Sequence, residues 1–369
     1  MHSRLTIMRT LRCILGVSVL LLLVTPASFA GTRPLSSSEY PKSNLPLLHP
    51  HDSDLSRQGA APSIQTLVVT GDGIVYAGSF GMGLFRSTDK GQSWELLNRG
   101  LTDPFLLCLA VTPGQYVYAG TMRGGAYRLS LKGEQWESIS QGLEDTEVKS
   151  FLVRGETVYA GTGQGVYRWN EAERRWMETG DGLEQVLVPG LAILEDGRLL
   201  AATSGKGLHH LETEQSGPSK WIDSQSIFVD PRERLPHRYL RVIAVNQAQH
   251  IFLGTQDGGI FRSTDRGASW SSLSRNLPND SIRGIVPIEA DVIVATGKGV
   301  FRWKDDQQRW IEMNEGLTKL AVQSLTIAKT GDWYVGTSSG AFRSDDEGEH
   351  WKNISQGLGM QMVPKGPYD

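Results

Sequence analysis

The chain is poor in cysteine, in net charge and in long apolar runs. It has two cysteines in 369 residues. Cys13 falls in the first thirty residues and Cys108 stands alone after them, so the segment beyond residue 30 has no intramolecular disulfide. Its stability must come from core burial, which a domain of this length can supply. Cys108 lies in the apolar run Phe105–Val111 and reads as a buried, inert thiol, since an apolar site raises a thiol pKa. Formal net charge is -3 and charged residues are 21%, which argues against nucleic acid and acidic membrane surfaces as partners. After residue 30 no apolar run reaches the ~18 residues of a helical membrane span. No Ser-His-Asp order, zinc-ligand spacing or phosphate loop stands out, so no metal or cofactor is expected. Gly161-Thr162-Gly163-Gln164-Gly165 is glycine-rich, yet it reads as a turn between strands and precedes no helix.

Residues 1–30 have the make-up of a secretory signal peptide. Arg4, Arg9 and Arg12 precede the apolar run Ile14–Val24, and Ser28 and Ala30 are small residues where a signal peptidase reads. An exported protein is expected, with an uncleaved N-terminal anchor as the alternative. Residues 31–62 are rich in Ser, Pro and His, lack periodicity, and read as a flexible leader.

Residues 63–369 repeat. The pairs Gly78-Ser79, Gly120-Thr121, Gly161-Thr162, Ala202-Thr203, Gly254-Thr255, Ala295-Thr296 and Gly336-Thr337 each close a strand-like run. Their spacings are 42, 41, 41, 52, 41 and 41 residues. Seven tryptophans keep step: Trp94, Trp136, Trp176, Trp221, Trp270, Trp310 and Trp351. Each unit holds β-branched and aromatic runs between glycine turns. A period near 40 built from such units predicts an all-β fold, a seven-bladed β-propeller of four-stranded antiparallel blades. A Gly-Leu pair follows five of the outer strands, as in Gly100-Leu101, and is expected to bend the chain back toward the axis. Six arginines precede their tryptophans by eight residues: Arg86, Arg128, Arg168, Arg262, Arg302 and Arg343. One charge repeated at one place argues for framework, with stacking on an aromatic ring as the expected contact.

Three hairpins share one pattern, Ser-x-Asp-x-Gly-x-x-Trp. They carry Asp89, Gly91 and Trp94, then Asp265, Gly267 and Trp270, then Asp346, Gly348 and Trp351. This pattern resembles the Asp-box, or bacterial neuraminidase repeat. Propellers with that box include sialidases, xyloglucan-active glucanases, the luminal domain of sortilin receptors and photosystem II stability or assembly factors. The box is expected to be structural, its aspartate accepting amide hydrogen bonds from its own loop.

The resemblance implies a scaffold rather than one activity. A sialidase needs three arginines around a carboxylate and a tyrosine nucleophile. The arginines outside the repeat, Arg99, Arg123, Arg154, Arg174, Arg175, Arg198, Arg232, Arg234, Arg238, Arg241, Arg266, Arg275, Arg283 and Arg309, are few, and several lie in predicted outer hairpins far from the axis. A glucanase needs two carboxylates facing one cleft, for which Asp103, Asp145, Glu147 and Asp257 are the loop candidates. The expected function is therefore that of an exported, non-catalytic, monomeric binding or assembly factor for a protein partner, with a glycan as second ligand class. The alternative is an extracytoplasmic carbohydrate-active hydrolase. Candidate contacts are Arg123, Lys206, Asp257 and Lys298 in the short loops joining second to third strands. The exit of blade four, longer than the others, adds Ile227, Phe228, Arg232, Arg234 and His237, because loops that depart from a repeat concentrate function.

Overall fold

The computed structural model describes residues 61–213, 217–224 and 237–359. These form a seven-bladed β-propeller. Each blade is one antiparallel sheet of four consecutive strands, paired in chain order from the axis outward. In blade one the strands are β1 (Ile64–Val69), β2 (Val75–Ser79), β3 (Leu84–Ser87) and β4 (Glu95–Leu96). The other innermost strands are β5 (Leu106–Val111), β9 (Val148–Arg154), β13 (Gly190–Ile193), β17 (Leu240–Val245), β21 (Ile282–Ile288) and β25 (Val322–Ile327). Second strands are almost wholly buried, as in β2, because neighbouring sheets cover both faces. Among the described residues no helix is long and apolar enough to cross a membrane. The segments expected to be a signal peptide and, nearly all of it, a flexible leader, and Ile227, Phe228, Arg232 and Arg234, lie outside the described residues.

The core is distributed over the seven blade junctions. One cluster packs Phe85 and Trp94 of blade one against Tyr334 and Ile354 of blade seven. Another packs Tyr76 and Leu97 against Val117 and Trp136 of blade two. Blade seven is built from its own four consecutive strands, so among the described residues no strand is exchanged to close the ring. Pro62, just before β1, accepts a hydrogen bond from Gly340 N–H at 2.8 Å across that closure.

The small-residue pairs do two separate jobs. A Cβ on Gly78 would lie 2.6 Å from Thr66 Cγ2 and 3.1 Å from Leu106 Cβ of the next blade. No real side chain fits there, so glycine sets how closely the inner strands crowd the axis. The hydroxyl after it clamps the following loop. Ser79 Oγ donates to Gly83 O at 2.8 Å and Thr255 Oγ1 to Gly259 O at 2.9 Å.

The tryptophans latch each blade to the one before. Trp136 Nε1 donates to Leu97 O at 2.8 Å, Trp176 to Ile139 O at 2.7 Å, Trp310 to Leu273 O at 2.7 Å and Trp351 to Met313 O at 2.8 Å. Trp94 closes the ring by donating to Ile354 O at 2.7 Å. Trp221 uses the Thr179 hydroxyl, at 3.2 Å. Trp270 packs half-buried in the junction of blades four and five. Among the described residues its indole N–H meets no acceptor. The Gly-Leu pair serves the same junction rather than a simple bend. Gly100 has φ 85° and a Cβ there would lie 2.4 Å from Trp136 O, while Trp136 N–H donates to Arg99 O at 2.8 Å.

The three boxed hairpins share one hydrogen-bond set. Ser87 Oγ donates to Asp89 Oδ1 at 2.7 Å and accepts from Gly91 N–H at 2.7 Å, while Ser93 N–H donates to Asp89 at 2.9 Å. The same contacts recur around Asp265 and Asp346. Hydrogen bonds from Ser93 hold the Asp89 carboxyl down at about 2.

Of the repeated arginines, Arg128 alone lies over rings, 4.7 Å from the Tyr116 centroid and 5.6 Å from that of Trp169. The expectation of stacking is thus corrected for the others. Long guanidinium stems on the third strand reach carboxylates sooner than rings. Arg128 pairs with Glu171 of blade three at 2.8 Å, and Arg262 with Asp305 of blade six at 2.6 Å. Lys90 of blade one and Arg343 of blade seven share Asp332, at 2.9 and 2.5 Å. Arg168 is exposed.

Candidate binding face and channel mouth

One face carries the loops that join second to third strands and the segments leading into the innermost strands. Arg123, Lys206, Asp257 and Lys298 all lie there and all are exposed. Their surroundings differ. The guanidinium of Arg123 sits 5.2 Å from the Phe105 ring centroid, and its main-chain N–H donates to Asp103 Oδ2 at 2.6 Å. Lys206 O accepts from Arg238 Nη1 at 3.2 Å. Lys298 N–H donates to Thr296 Oγ1 at 3.0 Å, within its turn. His237 is half-buried, its ring 5.7 Å from that of Phe261. It packs beside Gly258, where a Cβ would meet the imidazole.

The loop carboxylates do not share one cleft arrangement. Asp103 is buried and accepts from the N–H groups of Phe105, Arg123 and Gly124, which shapes its loop. Asp145 accepts from Glu147 N–H at 3.0 Å. Glu147 pairs with Lys149 at 2.7 Å. Among the described residues one carboxylate and imidazole group, Asp346, Glu349 and His350, has ligand atoms within 4.8 Å of one another. Asp346 and His350 are already bonded to each other in the blade-seven turn, at 2.7 Å.

Four of the six large apolar side chains exposed among the described residues stand on the same face, the other two, Leu96 and Met177, lying on outer strands. Phe80 is 43% exposed, Met122 37%, Tyr239 58% and Leu320 42%. Phe80 and Phe105 meet edge to face at 4.9 Å. Short loops of small residues around them leave these side chains standing proud.

Inside this rim lies the mouth of the central channel, a cavity of about 420 Å³. A backbone device builds its lining. In β1 the pairing steps from Ile64↔Ser79 to Thr66↔Gly78, leaving Gln65 unopposed. Such a β-bulge re-aims one side chain. The step recurs at Leu107, Lys149, Arg241, Arg283 and Gln323. All six line the cavity. The residue before each is buried, as in Ile64, Leu106, Val148, Leu240, Ile282 and Val322. Blade four pairs Gly190↔Ala202 without a step and contributes Leu187 and Pro189.

Arg241 and Arg283 occupy neighbouring blades at this level. Arg283 Nη1 donates to Val322 O at 3.2 Å, and its Nε is buried without a partner. Arg241 is reached by water but surrounded by protein. Removal from bulk water, then the charge of Arg283, push its pKa down from the ordinary value. The sequence placed both arginines outside the repeat but assigned them no site. The signal available was position: each follows the first buried apolar residue of an inner strand. The bulge that turns them inward is not visible in sequence.

No family model matches the chain, and no curated protein matches its sequence. Solved structures match its fold. The extracellular domain of a protein described as a hybrid two-component system of B. thetaiotaomicron aligns at 18% identity with TM-score 0.64, over 78% of this chain and 39% of that one. The extracellular domain of a protein described as a one-component system of the same organism aligns at 16% identity with TM-score 0.63, over the same shares. The WD40 propeller domain of Doa1 aligns at 16% identity with TM-score 0.58, over 79% of this chain and 96% of that one. The chain spans well under half the length of the two extracellular domains. At these identities the likeness is one of fold.

Proposed function

We propose that this chain is an exported, non-catalytic binding propeller that captures a protein partner on the channel-mouth face. The carrying observation is the set Phe80, Met122, Tyr239 and Leu320, exposed together on one face around a polar mouth. A rim of aromatic and Met side chains mixed with arginine is the composition of a protein interface. Export rests on the signal-peptide pattern of residues 1–30, and the Asp-box resemblance of the three hairpins is consistent with an assembly-factor role. The test is capture from an extract of the native envelope by the immobilised full chain. The parent retains a discrete protein; Phe80→Ser with Tyr239→Ser releases it and melts at the parent temperature. Sugar release from a glycan panel by the parent, abolished in Asp257→Asn, would favour the hydrolase instead.

A further inference from the structure

The channel mouth is more cationic than a packing role requires. Lys149, Arg241 and Arg283 bring three positive charges into a cavity whose other bulged positions are Gln65, Leu107 and Gln323. Glu147 pairs with Lys149 at 2.7 Å. Among the described residues neither Arg241 nor Arg283 pairs with a carboxylate. Two guanidiniums thus line one cavity from adjacent blades. Like charges at close range destabilise each other where solvent is restricted. Five of the six repeated arginines on third strands have a carboxylate, Arg128, Arg262 and Arg343 among them, and Arg168 is the exposed exception. The backbone bulge aims whatever side chain stands at these positions, so the fold itself does not call for arginine.

We propose that the mouth is a carboxylate-binding site, and that it takes an acidic side chain of a peptide segment presented by the docked protein partner. The proposal rests on the docking reading above for its partner, and on the cavity alone for its chemistry. Guanidinium forks bind carboxylates in bidentate fashion, and the Gln65 and Gln323 amides add neutral donors around them. Three cations and one carboxylate leave the mouth net positive, the sign that an acidic segment complements. The exposed apolar rim gives such a segment somewhere to lie on either side of its acid.

The test uses the full chain and a fluorescein-labelled hexaglutamate peptide, with oligo-lysine, acetate and inorganic phosphate as comparison ligands. Fluorescence anisotropy at low salt should show hexaglutamate binding to the parent and oligo-lysine not binding. Arg241→Gln with Arg283→Gln should weaken binding at least tenfold. Gln323→Glu, which leaves both arginines in place and supplies an internal carboxylate, should weaken it similarly. Arg198→Gln, on the hairpin at the other end of blade four, should change nothing. Equal affinity in the parent and both mouth variants overturns the proposal. Displacement of the peptide by phosphate at peptide-like concentrations overturns the acidic-peptide assignment in favour of a small oxyanion. Envelope capture separates the two readings. Capture kept by the double arginine variant, with peptide binding unaffected, sinks this inference and leaves the docking face standing. Arginine-dependent peptide binding without any captured protein supports the site and removes the partner.

Discussion

The junction of blades seven and one and the junction of blades four and five do the same task with different means. At the first, Trp94 is 5% exposed and donates to Ile354 O at 2.7 Å. Asp332, 4% exposed, is shared there by Lys90 and Arg343. At the second, Trp270 is half-buried and its N–H meets no acceptor among the described residues. The residue that stands where Leu97 and Ile139 accept elsewhere is Ser224, whose hydroxyl is 3.1 Å from His210 Nδ1. Among the described residues the ion pair across that junction is Arg266–Asp196, exposed and 3.8 Å long. Among the described residues this repeat keeps its tryptophan for apolar area without the polar latch. The junction where the ring closes is among the well-tied ones, and the weaker tie lies inside the chain next to the long exit of blade four.

The largest expected effect tests that contrast directly. Trp136→Ala removes a fully buried, latched indole and leaves Leu97 O unpaired, so it should cost ~3–5 kcal/mol in urea unfolding. Trp270→Ala should cost about 1.5–3 kcal/mol, since part of its area already faces water and no hydrogen bond to a described residue is lost. Equal losses would erase the difference between the junctions.

A second effect sharpens the comparison through pH. Burial opposes ionisation of Asp332, but hydrogen bonds from Lys90, Thr330 and Arg343 outweigh it and hold the carboxyl at about 2. The unfolded value is ~3.9. Its folded pKa is depressed, so the stabilisation is present above ~4 and is lost as pH falls toward about 2. Asp332→Asn should cost roughly 1.5–3 kcal/mol at pH 7 and should shed part of the acid-induced loss between pH 4 and 2. A variant with the parent's full acid limb would show that another carboxylate governs this window.

The smallest effect concerns the boxed turns. Asp265→Ala in blade five should lower stability by about 1 kcal/mol, as a turn loses its acceptor for Ser263 and Ser269. A loss as large as that of Trp136→Ala would mean that the turn, not the tryptophan, organises the junction.

The fold was legible because its determinants are local and periodic. Spacing of Gly-Thr pairs and tryptophans reports blades, since each blade folds from consecutive residues. The clamp of Thr255 on Gly259 and the latch of Trp136 on Leu97 were not legible, because identical residue types serve several geometries. The candidate face was legible in part. Arg123, Lys206, Asp257 and Lys298 stand where loop counting put them, yet the apolar rim of Phe80, Met122, Tyr239 and Leu320 escaped notice. Exposed and buried apolar residues look alike in a strand-rich sequence. Arg241 and Arg283 escaped because a one-residue bulge reverses the face a side chain occupies.

Those bulges separate two kinds of information. The buried residue beside each, such as Ile64 or Ile282, holds the blade to its neighbour. The bulged residue itself contributes little to that contact, and ranges from leucine to glutamine to arginine around one ring. Six positions in a closed circle can therefore change their chemistry independently of folding. The channel mouth is a dial with one setting in each of six blades, and descendants of one scaffold can acquire new recognition by resetting it while the ring around it stays the same.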